Sequence, residues 1–255
     1  MIQLKNATQI EIMKEAGRIT GEALLLAGEA IKEGVTTKHL DDIIRHHIEK
    51  SGAKPTFLGY GGFPGSACIS VNDEVIHGIP GKRVIHDGDI VSLDVGATYK
   101  GFVGDCAGTF ACGEISAEAK KLIEVTRQSF FEGIKFARPG YRISDIGAAI
   151  QEYVESHGYS VVRDYVGHGI GRSLHEAPEV PNFKISGGVR RPNPRLVKGM
   201  TLAIEPMVNM GGHEIRVLPD GWTVVTADGS LSAHYENTIL ITDGEPEILT
   251  MAEDI

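Results

Sequence analysis

Gly88-Asp89-Ile90-Val91-Ser92-Leu93-Asp94 and Gly199-Met200-Thr201-Leu202-Ala203-Ile204-Glu205 are one pattern written twice. Each opens on a glycine, runs through an apolar stretch that alternates poorly, and ends on a carboxylate. Poor alternation is the mark of a strand covered on both faces. Outward from these two stretches, strand-like runs cover Ala67 to Asn72, Asp89 to Val95 and Tyr99 to Phe110. In the second part of the chain they cover Val161–Val166, Thr201–Val208, Ile215–Leu218, Trp222–Thr226 and Ala233–Ile241. Helical spacing precedes each set. Thr8-x-x-Glu11 reads as a capping box, with Ile12, Ala16, Ile19, Ala23 and Ala27 following and Gly34 as the stop. Thr37 opens a second helix, with Asp41 and Asp42 in its first turn and Gly52 as its end. Ser116 caps a helix to Phe136, and Ser144 caps another to Gly158.

A constant offset places Gly34 on Gly140, Leu40 on Ile146, Ile44 on Ile150, Ile48 on Val154 and Gly52 on Gly158. His77-Gly78-Ile79-Pro80 resembles His175-Glu176-Ala177-Pro178 in the same way. The fold class is therefore α+β, built from two related helix-helix-sheet halves, about 1–115 and 116–255. No Ser/Gly/Pro-rich linker divides them, so the expectation is one fused domain over 1–255. Asp94 and Glu205 should then occupy equivalent places on equivalent strands, with Asp105 and Glu236 on the strands between them.

Bulk composition narrows the function. The 255 residues carry 42% hydrophobic side chains, and no uncharged apolar run nears the roughly 20 residues a bilayer span needs. A net charge of −9 disfavours nucleic acid as the main substrate, since phosphate binding needs a basic face. The three cysteines, Cys68, Cys106 and Cys112, show no CxxC pairing and fit a reducing compartment. With no basic or apolar leader at Met1-Ile2-Gln3-Leu4-Lys5-Asn6, the expected location is the cytoplasm.

The informative residues are acids placed where a solvated charge does not belong. Asp94 closes Ile90-Val91-Ser92-Leu93-Asp94, Glu205 sits in Ile204-Glu205-Pro206-Met207, and Glu236 in Tyr235-Glu236-Asn237-Thr238-Ile239. Asp105 in Gly101-Phe102-Val103-Gly104-Asp105 can fold back toward Asp94 as a hairpin. A lone buried carboxylate costs several kcal/mol, and no matching set of Lys or Arg lies in these strands, so metal is the leading explanation. His168, in Val166-Gly167-His168-Gly169-Ile170-Gly171, is the strong imidazole candidate, because flanking glycines let its backbone approach other groups closely. Four carboxylates and a neutral imidazole carry a charge that two divalent ions would neutralise. Oxygen ligands with a single nitrogen and no thiolate suit Mn, Fe(II), Co or catalytic Zn. Two such ions, usually ~3.5–4 Å apart, activate a bridging water for hydrolysis. His234, two residues before Glu236, should face the same side of its strand and border the metals.

Asp94, Asp105, His168, Glu205 and Glu236, in that order and context, match the two-metal peptidases of the pita-bread fold. The stretches Cys68 to Pro80, Gly167 to Pro178, Thr201 to Met207, Gly221-Trp222-Thr223 and Ser232 to Glu236 resemble type I methionine aminopeptidase over nearly the whole chain. The resemblance implies a curved, largely antiparallel sheet with pseudo-twofold halves and helices on its outer face. It implies removal of the initiator methionine from nascent polypeptides when the second residue is small and uncharged. It assigns Asp94 to one metal, His168 with Glu205 to the other, and Asp105 with Glu236 to both. It makes Glu205 a proton shuttle, His175 a donor to the oxyanion, His77 a contact of the scissile amide nitrogen, and Tyr60, Phe63, Cys68 and Trp222 the walls of the methionine pocket.

Some positions depart from the family pattern. Phe63 stands where Tyr is common, and Leu174 where some members carry an aromatic ring. The absence of a zinc-finger or proline-rich extension points to a bacterial-type enzyme, and the resemblance implies a monomer. The loop Val189 to Lys198, with Arg190, Arg191, Arg195 and Lys198, is longer than in compact members and is a candidate contact with the ribosome. Rival readings are a proline-specific aminopeptidase or dipeptidase, which shares the five ligands, and a peptide-binding module that has lost catalysis.

Overall fold

The first helix is fixed by its cap. Asn6 accepts from Gln9 N at 3.0 Å, and the Gln9 side chain accepts from Asn6 N at 3.0 Å. α1 (Ala7–Glu29) therefore starts just ahead of the Thr8 box, Asn being as good an N-cap as Thr. It also ends before Gly34, whose positive φ serves the following turn instead. The structure, a computed structural model, describes residues 1–185 and 192–250. α2 (Thr37–Lys50) follows, then β1 (Lys54–Pro55), a 3-10 turn at Tyr60–Gly62, β2 (Ala67–Val71), β3 (Glu74–Ile76), β4 (Ile90–Tyr99) and β5 (Phe102–Ala111). The second part holds α3 (Ala117–Ile134), α4 (Ile143–Ser156), β6 (Ser160–Val161), β7 (Gly167–Gly169), β8 (Glu176–Val180) and β9 (Thr201–Ile204). It closes with β10 (Met207–Asn209), β11 (Ile215–Val217), β12 (Val224–Thr226), β13 (Ser232–His234), β14 (Glu236–Leu240) and β15 (Glu247–Ile248).

The main sheet has nine strands, ordered β1-β4-β5-β14-β9-β7-β8, with β2 also on β4 and β15 on β14, all antiparallel. The order reads alike outward from the β5–β14 seam: β5, β4, β2 on one side and β14, β9, β7 on the other. α2 and α4 have 14 residues each, and Leu40, Ile44 and Ile48 are as fully buried as Ile146, Ile150 and Val154. β4 and β5 join through Lys100-Gly101, both at positive φ, the tight turn that suits a twisted hairpin. That is why the expected strand from Tyr99 begins at Phe102.

Several expected boundaries move for local reasons. The run Thr201–Val208 breaks at Glu205-Pro206, since proline has no N–H for a ladder, and Ala233–Ile241 breaks at Tyr235. Strand pairing in Val161–Val166 is confined to its start. α4 starts at Ile143, where Asp145 accepts from Arg142 N at 2.8 Å and Asn193 accepts from Ser144 N at 3.0 Å; Ser144 is therefore not the cap. Asp41 is not a first-turn acid. It is buried and accepts from Ser66 N at 2.7 Å and Ala67 N at 3.0 Å, which anchors the start of β2.

Helix α1 lies on the outer face of β5 at backbone distance. A Cβ on Gly104 would come within 2.8 Å of Gly17 N and 2.9 Å of the Ala16 carbonyl. Thr20 Oγ1 donates to the Gly104 carbonyl at 3.2 Å. The strand segment that carries Asp105 is thus pinned from behind. From the seam side, Thr238 Oγ1 donates to the Asp105 carbonyl at 2.9 Å and accepts from Asp105 N at 3.1 Å.

Candidate metal centre

Register decides which side chains converge. Asp94 pairs with Ala107, and Ala107 pairs with Glu236, so the two acids flank one small side chain in a single row across three strands. Asp105 is two residues before Ala107 and therefore on the same face. It pairs with Gly96, so Asp105 and Asp94 are diagonal neighbours. His168 pairs with Ala203, and Ala203 with Thr238, two residues beyond Glu236. Glu205 follows Ala203 by two. The period-2 geometry of four strands thus sends Asp94, Asp105, His168 and Glu236 to one face, and Glu205, one residue past the end of β9, joins them.

The distances agree. His168 Nε2 lies 3.7 Å from Asp105 Oδ2 and 3.5 Å from Glu205 Oε1. Asp105, His168 and Glu236 each offer a ligand atom within 4.8 Å of the others. His168 Nδ1 sits 2.9 Å from the Gly169 carbonyl, an acceptor. It must therefore donate, which leaves the Nε2 lone pair bare and facing the acids. Burial, then His175, pushes the His168 imidazole down to about 3, so it is neutral.

The acids behave oppositely. Burial pushes Asp94 up to about 7, and burial with neighbouring carboxylates holds Asp105, Glu205 and Glu236 well above their usual range. Among the described residues, no lysine or arginine pairs with any of the four. Asp94 Oδ1, Asp105 Oδ1 and Glu236 Oε1 are buried without a hydrogen-bond partner. Unpartnered carboxylate oxygens around a bare imidazole nitrogen fit divalent cations, and hard oxygen donors with one nitrogen suit transition metals of the Mn to Zn series.

The eleven residues assigned from the sequence to metal, catalysis and the methionine pocket line one cleft: the five above with Tyr60, Phe63, Cys68, His77, His175 and Trp222. Cys68 pairs with Asp94 in the sheet and so shares its face. Phe63 meets Trp222 edge-on at 5.2 Å. His77 has φ +60, a strained conformation outside glycine, and its ring meets Tyr165 edge-on at 5.4 Å. Burial, then His175, lowers His77 to about 4. His175 stands at the rim with its ring edge-on to His168, centroids 4.3 Å apart. Its Nδ1 lies 2.7 Å from the Tyr60 hydroxyl.

Phe57 and Leu174 complete the walls. Phe57 gave no sequence signal, because an aromatic ring outside any periodic run reads as ordinary core. Tyr165 was hidden inside an expected strand. His234 is buried, with Nε2 3.9 Å from Glu236 Oε2 and no hydrogen-bond partner. Of the basic loop, Arg190 and Arg191 lie outside the described residues. Arg195 pairs through its backbone with Arg142, and Lys198 forms an ion pair with Asp243.

An antiparallel sheet that gathers four acids and a histidine under an apolar cleft is the framework of a metal-dependent peptidase. The sequence matches metallopeptidase family M24 over residues 11–243, and the chain belongs to that family. Its relatives are methionine aminopeptidases of bacterial size. It is 58% identical to that of Clostridium acetobutylicum, over 99% of this chain and 100% of the relative. It is 51% identical to methionine aminopeptidase 1 of Bacillus subtilis, over 98% and 99%. The crystal structure of methionine aminopeptidase from Thermotoga maritima superposes with a TM-score of 0.93 at 47% identity, covering 99% of this chain and 100% of that one. The expected α+β pita-bread fold and the expected class, a metal-dependent aminopeptidase, are both borne out.

Proposed function

We propose that this chain releases the first methionine from polypeptides whose second residue is small and uncharged, and that it does so as one catalytic unit with two divalent ions. The observation that carries the reading is the set of unpartnered carboxylate oxygens on Asp94, Asp105 and Glu236, in the same aromatic-walled cleft as the bare Nε2 of His168. Asp94 would hold one ion, His168 and Glu205 the other, with Asp105 and Glu236 shared. Divalent ions bound there supply Lewis acidity to the scissile carbonyl and make a water a competent nucleophile near neutral pH.

The remaining chemistry belongs to the side chains. Tyr60, Phe63, Cys68 and Trp222 take the methionine side chain, whose polarisable sulfur suits aromatic edges. His175, at the cleft rim, donates to the carbonyl oxygen as negative charge develops on it. His77 contacts the nitrogen of the breaking bond, and Glu205 moves a proton to it. Acting on nascent chains, the protein would operate in the cytoplasm, a compartment that suits three buried free thiols. A ribosome contact through Arg190 to Lys198 would have to rely on Arg190, Arg191 and Arg195, since Lys198 is already paired.

The test is metal-stripped protein, reconstituted in turn with Mn, Fe(II), Co and Zn and assayed on Met-Ala-Ser, Met-Leu and Ala-Pro peptides. Methionine release from Met-Ala-Ser that needs metal is the expected result. Cleavage of Ala-Pro instead would assign a proline-specific peptidase, and no cleavage at all would leave a binding module.

A further inference from the structure

Tyr60 and His175 come from distant parts of the chain and meet at the cleft rim. The phenol oxygen lies 2.7 Å from His175 Nδ1, and the rings stand 5.4 Å apart at 54°. Among the described residues, the phenol is the sole hydrogen-bond partner of that imidazole. On its other side the His175 ring rests edge-on against His168 at 72°. Two contacts therefore bear on its tilt, and the phenol contact links its tautomer to which partner donates.

A neutral imidazole is a donor at one nitrogen and an acceptor at the other. If Nδ1 gave its proton to the phenol oxygen, Nε2 would be a bare lone pair and could not stabilise an oxyanion. If the phenol donates to Nδ1, the proton sits on Nε2, the nitrogen left free for substrate. We propose that Tyr60 is a positioning residue that donates to His175 Nδ1 and holds the ring as the Nε2–H donor. The inference rests on the reading of His175 as the oxyanion donor. It gives Tyr60 two tasks, since the same ring forms a wall of the methionine pocket. A substrate side chain that displaces Tyr60 would also release His175, so filling of the pocket and alignment of the donor become one event.

Tyr60→Phe keeps the ring, and so the pocket wall, and removes the hydroxyl. With methionine peptides, kcat should fall roughly ten- to a hundredfold while KM changes less than about twofold; a misaligned donor loses part of the 10²–10³ that a whole one supplies. On a His175→Ala background the same change should add almost nothing, because residues acting as a unit are not additive. A readout independent of activity is the ¹⁵N spectrum of the protein loaded with diamagnetic zinc. His175 should show a protonated Nε2 and a bare Nδ1, and Tyr60→Phe should mix the two tautomers. A protonated Nδ1 in the unsubstituted protein overturns the proposal, as does an effect of Tyr60→Phe confined to KM or fully additive with His175→Ala. If methionine peptides are not cleaved at all, the functional reading fails, while the tautomer measurement still decides the Tyr60 contact.

Discussion

Lys5→Met tests the support beneath the His175 loop. The Lys5 ammonium is 2.6 Å from Glu176 Oε2, and the side chains of the pair are 4% and 10% exposed. Glu176 Oε1 accepts from Arg172 N at 2.8 Å and Ser173 N at 3.3 Å, so this one carboxylate ties the N-terminal segment to the turn leading into His175. Breaking a buried pair from one side typically costs about 3–5 kcal/mol, because the remaining charge is stranded. Here Oε1 keeps its two backbone donors, so the lower end, about 3 kcal/mol, applies. For a chain of this size that is a fall in Tm of roughly 6–12 °C, at ~2–4 °C per kcal/mol. Urea and thermal unfolding of Lys5→Met, Glu176→Gln and the double variant would measure it. The double variant should recover more than about 1 kcal/mol relative to the sum of the singles. A melting point within ~1 °C of the parent, or a strictly additive cycle, would show that the pair is not a buried support at all.

Metal removal should destabilise the fold, since the candidate ligands Asp105, His168 and Glu236 come from both sides of the seam. At a hundredfold excess over Kd, an added divalent ion should raise stability by about 2.7 kcal/mol, read as a Tm increase that chelator reverses. His168→Ala should lose metal by elemental analysis. His175→Ala should keep it and lose roughly 2.7–4 kcal/mol of transition-state stabilisation in kcat; equal metal content in both variants would unseat His168 as a ligand. Gly104→Ala drives a methyl into the Ala16–Gly17 backbone and should cost about 1–3 kcal/mol in unfolding experiments. Because Ile2 is bulky, the protein should keep its own Met1, which an intact mass decides.

The acids were legible because each breaks a rule. Asp94, Asp105, Glu205 and Glu236 interrupt runs that otherwise describe buried strands, and a buried charge demands an explanation that periodicity alone cannot give. His168 stood out through its glycines, whose reason is now visible: a Cβ on Gly167 would come within 2.4 Å of the Ala203 carbonyl, and one on Gly169 within 2.3 Å of the Ala177 carbonyl. Asp41 was misread because an acid early in a helix looks like a companion of the helix dipole. Its true partners, Ser66 N and Ala67 N, are set by tertiary packing that local sequence does not encode. The same holds for Tyr60 and His175, where neither residue carries a pattern announcing the other. The strand break at Pro206 carries its own mark, a residue with no N–H for a ladder, whereas the change of sheet at Tyr235 has no local signal.

The seam between β5 and β14 also bears on how the chain comes together during synthesis. β4 and β5 are joined by two residues and can zip as soon as both have left the ribosome, whereas β14 must wait for the helices and strands between them to be made. Closing that long span is slow, as pairings distant in sequence are. Until it closes, β5 is an open edge of a growing sheet, the kind of template that recruits strands from neighbouring chains. Asp94 and Asp105 lie on that unfinished hairpin, and inward-pointing charge is a device that keeps naked edges from pairing wrongly. The acids proposed to hold metal in the finished protein would thus act earlier as guards against aggregation, disarmed when β14 arrives with Glu236.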